Sequence, residues 1–305
     1  MELGERQRLK QEFRQKLTEF VSSLVTHVST DDSQWTIKGF IDVFRNIYTI
    51  SADTKVVSKI LEIHLFPKIL EFADANGYRI VPPDYQNYYP DISFVSTNDE
   101  AIKFAVDFKT TYRLPGRPDY CNSFTLGSHG EYFIDRTSRK NIQFPYNEYL
   151  GHFCLGIIYT RTIPEGKEIV ETKIYKLDDL HSITSVVNDF LFFVCEKWEI
   201  ASDASGSGNT ANIGSISNIQ DIISCNGMFK NLGEEVFDDY WMNYNRITIL
   251  DQEGNSKNIR TLAEFLEYRG LDKSLINPRT RRISTPRPKY KTNTSPDTEK
   301  DQDGK

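Results

Sequence analysis

The chain has 305 residues, 38% hydrophobic and 26% charged, with a formal net charge of −6, enough length to bury a real core in one large domain or two modest ones. No apolar run reaches the ~20 residues of a bilayer-spanning helix, and Lys10, Arg14 and Lys16 interrupt the first apolar stretch, which excludes a signal peptide; no membrane partner and a cytoplasmic location are expected. The acidic balance argues against a non-specific nucleic-acid coat protein, although an acidic body still binds DNA where its basic groups line one cleft.

Residues 6–29 set Leu9, Phe13, Leu17, Phe20, Val21, Leu24, Val25 and Val28 at steps of three and four, which predicts an amphipathic helix. Asp53 or Thr54 caps a second helix running through Val57, Ile60, Leu61, Leu65, Ile69 and Leu70 to Gly77. Pro67 predicts a kink or break in it near His64–Phe66. Strand signals follow at Tyr78–Val81, Asp91–Val95 and Ile102–Tyr112. In the last, Phe104, Val106 and Phe108 face one way while Lys103, Ala105, Asp107 and Lys109 face the other. Phe153–Thr160, Ile169–Tyr175 and Phe190–Ile200 suit further strands, with a helical turn around Pro145–Gly151. Helical patterns return at Glu234–Tyr244 and Thr261–Tyr268, and this mixed order predicts an α/β fold.

From Pro278 onward almost nothing is apolar, which predicts disorder. Residues 279–305 carry eight Lys/Arg against four Asp/Glu, leaving −10 on the rest. Arg279, Arg281, Arg282, Arg287, Lys289 and Lys291 read as a solubilising tail or, more sharply, as a non-specific phosphate contact. Cys121, Cys154, Cys195 and Cys225 are scattered without zinc spacing, and all four are expected as free thiols. P-loop and nucleophile-elbow motifs are absent.

The chemistry centres on Pro90–Asp91 and Asp107–Phe108–Lys109. Residues i and i+2 of a strand share a face, so Asp107 and Lys109 belong to one site, and a hairpin brings Asp91 alongside. Two carboxylates and an ammonium together suit Mg²⁺ beside a scissile phosphate. A lone D-x-K on a strand is a weak signal. Here the strand is otherwise apolar, and a carboxylate buried there without a partner or metal is costly. A second run, Ser205–Gly214, reads on composition as a flexible linker. Its functional reading gives Asn209 a bidentate bond to adenine and the Thr210 methyl a contact with a thymine methyl. Tyr85, Gln86 and Asn87 form a loop before Asp91, otherwise an ordinary polar turn.

Four stretches, Ser51–Val56, Tyr89–Asp91, Val106–Tyr112 and Gly206–Ser215, resemble the EcoRV-type restriction endonucleases of the PD-(D/E)xK family in order and separation. Phe124–Gly127, Tyr159–Arg161, Glu196–Trp198 and Asp239–Trp241 match as well, so the similarity covers roughly residues 50 to 250. The resemblance implies a mixed β-sheet core flanked by helices and a Mg²⁺-dependent homodimer that clasps double-stranded DNA. It implies cleavage of the palindrome GATATC at its centre, giving blunt ends with 5′-phosphate, one half-site per subunit. A cognate DNA methyltransferase is expected in the same cell. Carried over, Asp91 and Asp107 are metal ligands, Lys109 the catalytic lysine and Glu62 an auxiliary acidic residue; Glu62 reads equally as a solvated helix face. Gly206, Ser207, Gly208, Asn209 and Thr210 form the major-groove recognition loop, with Asn212 supporting it or contacting DNA nearby. Gln86 and Asn87 match the minor-groove loop, Thr111 a phosphate-contacting position and Arg246 a basic residue near the C-terminal end. Two departures stand out: Tyr85 replaces a glutamine, and Asp251 occupies a basic position.

The organisation expected is an N-terminal amphipathic helical extension over 1–30, a restriction endonuclease domain over 31–278 and a disordered basic tail over 279–305. Three alternatives stand beside a GATATC nuclease: the same chemistry at another site, a DNA-binding module that does not cleave, and a hydrolase using the carboxylates without DNA. The intact Asp91, Asp107 and Lys109 speak against the second. The lysine and the loop speak against the third.

Overall fold

The computed structural model describes residues 2–162, 173–206, 211–250 and 254–277. Helix α1 (Leu3–Val28) buries the stripe Phe13, Leu17, Val21, Leu24 and Val28. A short hairpin, β1 (Gly39–Ile41) and β2 (Asn46–Thr49), leads to α2 (Thr54–Ala75), whose N-terminus is capped by the Asp53 carboxylate accepting from the N–H groups of Lys55 and Val56. The predicted break at Pro67 does not occur: α2 runs through it. Buried residues on both sides, Ile60, Leu61 and Leu65 before and Ile69, Phe72 and Ala73 after, hold the two halves in one helix.

Strands β3 (Tyr78–Val81), β4 (Ile92–Ser96), β5 (Lys103–Leu114) and β6 (Arg117–Cys121) follow, then β7 (Thr125–Ser128) and the single turn α3 (Glu131–Ile134). A 3-10 turn at Tyr146–Glu148 precedes β8 (Gly151–Arg161). Next come β9 (Ile174–Lys176) and β10 (Val187–Glu196). The segment expected as one strand over Phe190–Ile200 divides, because Lys197–Ile200 turns into a 3-10 helix as the chain leaves the sheet. The rest comprises β11 (Ala201–Ser205), β12 (Asn212–Ser215), α4 (Ile219–Ile223), α5 (Glu234–Asn243), β13 (Thr248–Leu250), β14 (Ser256–Asn258) and α6 (Leu262–Arg269).

The main sheet has the order β10-β8-β5-β4-β3, with β6 paired to β5. Its β5–β8 pair is parallel and its other pairs are antiparallel, so the sheet is mixed. Helices α1 and α2 cover one face. There Phe13 stacks on Phe104 of β5 at 4.1 Å between ring centroids, within a core that also takes Val106 and Phe153. The other face packs Ala105, Cys154 and Ile158 against α4, α5, α6 and the small sheet β11-β12-β7. Alternation along β5 divides its side chains between these two cores, which is why Asp107 and Lys109 emerge on the second face, beside β7 and β12.

One expectation about cysteine fails. Cys195 and Cys225 form a disulfide with Cα atoms 5.6 Å apart, while Cys121 and Cys154 are free and buried. The turn after α4 lies against the end of β10, a juxtaposition that a separation of 30 residues did not reveal. The basic tail and Asp251 lie outside the described residues.

Candidate active site

Strands β4 and β5 pair antiparallel with Ile92 opposite Val106. Continuing that register by one residue sets Asp91 across from Asp107. The Asp91 carboxylate then accepts a 2.7 Å hydrogen bond from the N–H of Phe108. Lys109 Nζ lies 2.5 Å from Asp107 Oδ2. The three residues read from the sequence therefore meet in one place. Asp107 is buried, whereas Asp91 opens to solvent at the mouth of the cleft with protein behind it.

Charge here is strongly perturbed. The surrounding protein and the neighbouring Asp107 charge push Asp91 up to about 8. Asp107 sits in deeper burial, which by itself would raise it, but Lys109 and a hydrogen bond with Asp91 outweigh that and hold it below the ordinary carboxylate range. Lys109 is raised in turn, since the attraction of Asp107 and Asp91 exceeds the burial that opposes its charge. One carboxylate thus retains a proton near neutrality while its neighbour stays ionised, the pattern of two acids sharing one small site.

The cleft has a volume of about 340 Å³. The buried Asp107 and the half-buried Lys109 form its floor, Asp91 stands at its mouth, the exposed Gln86 and Asn87 form one rim, and Asn212 another. Asn212 arrives there because β12 pairs with β7, Asn212 opposite Ser128. At the other end of the hairpin, the Gly206 N–H donates to the Asn212 carbonyl at 2.8 Å. Gly206 also packs so closely on Thr125 that an added Cβ would come within 2.5 Å of its methyl. Ser207, Gly208, Asn209 and Thr210 lie outside the described residues; of the residues flanking them, Asn212 lines the cleft and Gly206 packs on Thr125, which also lines it.

Three carried-over residues are not in this cleft. Glu62 sits on α2 and pairs with Lys59. Thr111 is buried, its hydroxyl donating to the Asn122 carbonyl at 2.5 Å. Arg246 is exposed in the turn between α5 and β13. Tyr85, the departure in the minor-groove loop, is exposed and packs on Tyr88 with ring centroids 4.9 Å apart.

Sequence reasoning missed several wall residues. Lys140 and Glu131 line the cleft as an ion pair 2.5 Å apart. Tyr132 forms part of the wall and stacks on Tyr89. Behind Tyr89 lies His152. Burial keeps His152 well below its usual pKa and therefore neutral. Its Nε2 faces the Tyr146 carbonyl at 3.2 Å, which can only accept. Nδ1 is then free to accept from the Tyr89 hydroxyl at 3.0 Å. Lys197, also buried, stands against the same rings. A lysine directly after the apolar run of β10 was a legible signal of an unusual position.

The model of the EcoRV restriction endonuclease family matches residues 31–270. The chain belongs to that family. Type II restriction enzyme EcoRV of Escherichia coli is 33% identical over 250 residues, 82% of this chain and 98% of that protein. As a member of the EcoRV family the protein is a type II site-specific deoxyribonuclease acting on DNA, with the mixed sheet and flanking helices that the motifs implied. Among the described residues no helix is long and apolar enough to cross a membrane. The donor set suits a hard divalent cation: two carboxylates face one another in a narrow cleft, with Lys109 against one of them.

Proposed function

We propose that this EcoRV-family enzyme hydrolyses duplex DNA with Mg²⁺ at GATATC, cutting at the centre to leave blunt ends with 5′-phosphate. The observation that carries the reading is the placement of Asp91, Asp107 and Lys109 in one cleft with Asn87 and Asn212 at its rims. Asp91 and Asp107 would hold the metal. When bound, Mg²⁺ supplies Lewis-acid stabilisation of the phosphoryl and leaving oxygens and acidifies water. Lys109, held by Asp107, orients the attacking water and offsets charge developing on the phosphate. The loop 206–210 reads bases in the major groove, with Asn209 on adenine and the Thr210 methyl on thymine. Gln86 and Asn87 contact the minor-groove side. Glu62 and Arg246 act outside the cleft, as an auxiliary acid and a phosphate contact, in the DNA-bound enzyme, whereas the buried Thr111, its hydroxyl spent on the Asn122 carbonyl, is left out of the phosphate contacts.

A palindrome is read by a twofold pair, so we infer a homodimer. The hairpin of β1 and β2 supports this with an apolar surface: Val43 is 90% exposed and Phe44 79% at its tip, beside Phe40 and Ile41. Such a patch is what a second copy would cover. Sedimentation of a Val43→Asp/Phe44→Asp variant tests it, and a wild-type mass would remove this surface from the interface. A host also needs a methyltransferase protecting the same site.

The deciding experiment is incubation of the purified protein with plasmid DNA and Mg²⁺, followed by sequencing of the ends. Blunt ends within GATATC establish the reading. Ends at another sequence keep the nuclease and discard the recognition assignment, and intact DNA across metals and salt concentrations discards the cleavage reading.

A further inference from the structure

Lys197 follows the last residue of β10 and is only 3% exposed. Its ammonium makes no hydrogen bond among the described residues. Burying a cation in that state is costly, so its retention calls for compensation. Two sources are present. The nitrogen lies over the rings of Tyr89, Phe133 and Tyr146, at 4.9, 5.2 and 5.6 Å from their centroids. Cation–π attraction of this kind is strongest in a desolvated setting. The other source is electrostatic attraction to Asp107, which partly offsets the burial that lowers Lys197.

Its position relative to the cleft is unusual. Gly127, on β7, lines the cleft and has φ +91°. A Cβ at Gly127 would lie 3.3 Å from Lys197 Nζ and 3.4 Å from the Tyr132 hydroxyl. The ammonium is therefore separated from the reaction space by little more than bare glycine backbone and the Tyr89 ring. It cannot touch DNA or metal, yet in a low-dielectric surround its charge reaches both.

We propose that Lys197 is a positioning residue for the cleavage reaction, a buried cation behind Gly127 and Tyr89 that favours the DNA phosphate and opposes premature metal entry. The proposal rests on the reading of Asp91 and Asp107 as metal ligands. Burial lowers Lys197 to about 8, so below that pH a positive charge stands behind the carboxylates, repels a divalent cation and attracts a phosphate. With it in place, the carboxylate pair binds metal weakly until a phosphate adds negative charge, so DNA and metal assemble together. The aromatic cage confines the charge to one spot, and one of its rings, Tyr89, lines the cleft and leads directly into Pro90–Asp91.

The test compares wild type with Lys197→Met and Lys197→Gln at fixed pH and ionic strength. Mn²⁺ binding without DNA is followed by electron paramagnetic resonance, and DNA binding without metal by fluorescence anisotropy with a GATATC duplex. Removing the charge should tighten Mn²⁺ binding about tenfold and weaken metal-free DNA binding by a similar factor, given one charge acting through a protein-like dielectric. Lys197→Arg should stay near wild type in both if the cage admits it. A lysine that only fills space predicts otherwise: Mn²⁺ affinity unchanged or weakened in the folded Met or Gln variant, which overturns the proposal. If Lys197→Met does not fold, the Gln variant decides by the same two readings. Asp107→Asn is the control for the underlying assignment: if it binds Mn²⁺ like wild type, the ligand reading fails, whereas Mn²⁺ lost in Asp107→Asn and unmoved by Lys197→Gln rejects Lys197 alone.

Discussion

Asp91 Oδ2 accepts a 2.7 Å hydrogen bond from the N–H of Phe108, the residue between Asp107 and Lys109. This bond ties the first carboxylate to the strand that carries the other two charged groups. It stabilises the ionised form of Asp91, but the surrounding protein and the Asp107 charge outweigh it and push the group up to about 8. Metal binding by the free enzyme must then release a proton below that value. Mn²⁺ or Mg²⁺ affinity should rise with pH, approaching about tenfold per unit, and level off above about 8. Calorimetry in buffers of different ionisation enthalpy reads the proton directly. A pH-independent affinity between 6.5 and 8.5 would contradict the coupling.

The same residue makes the metal-free fold sensitive to pH. An acid raised from an ordinary 3.8 to about 8 binds more protons folded than unfolded across that interval. Its contribution thus favours the fold fully below about 3.8 and is lost as pH rises through about 8. In EDTA, Asp91→Asn should melt higher than wild type, by a margin that grows between pH 5 and pH 8.5. A margin identical at both pH values would sink the assignment.

Asp107→Ala should abolish cleavage, with a loss of at least about a thousandfold, by analogy with removing one stabilising group from a preorganised site. Site-selective binding should persist in Ca²⁺, since the groups assigned above to base reading lie on other elements. Cleavage near the wild-type rate in that variant would reject the metal site.

Period-two alternation made Asp107 and Lys109 legible, because a strand leaves them no choice but one face. Asp91 was legible through its place at the head of the preceding short strand. The surroundings were not. β7 and β12 are four-residue strands rich in Gly, Ser and Asn, and such stretches carry no periodicity that separates a strand from a linker. Lys140 and Glu131 meet in the cleft only through the path of the chain between β7 and β8. Lys197 was visible as a lysine beside an apolar run, but its cage comes from Tyr89, Phe133 and Tyr146, on three separate segments. Of the kink or break expected at Pro67, the break is absent, because local propensity omits the packing on both sides of the proline.

Gly156 lies in the middle of β8, and the Phe193 ring of β10 occupies the space over it; an added Cβ would fall 1.9 Å from the ring. Gly156→Ala must displace that ring within a packed core and should cost at least about 1–3 kcal/mol. Phe193→Leu in the same chain should recover part of the loss, since it removes the obstructing edge. Urea unfolding of the single and double variants gives the coupling, and purely additive effects would show that the ring is not the obstacle.

α1 is joined to the domain by charge as well as by its apolar stripe. Lys10 Nζ lies 2.7 Å from Glu196 and 3.1 Å from Glu234, and Arg14 lies 2.9 Å from Glu199. Burial already raises Glu196 above its ordinary value despite Lys10, so the carboxylate has little margin. Lys10→Ala would leave it buried without its nearest cation and should cost about 3–5 kcal/mol near neutral pH. Adding Glu196→Gln should restore part of that. A Lys10→Ala protein as stable as wild type would mean that water replaces the ammonium.

Recognition is the finest of the assignments and rests on the hairpin of β11 and β12. Its described ends are held by the Gly206–Asn212 hydrogen bond and by pairing of β12 with β7, which brings Asn212 to the cleft wall. If Asn209 bonds adenine in two places, Asn209→Ala should cost about 1–3 kcal/mol of discrimination at one base pair. Affinity for unrelated DNA should barely change, because phosphate contacts supply it. Competition in Ca²⁺ between a GATATC duplex and single-substitution duplexes measures the ratio at each position. A loss confined to one symmetric pair of positions supports a direct contact by Asn209, a uniform loss marks it as a loop-shaping residue, and an unchanged ratio removes it from the readout.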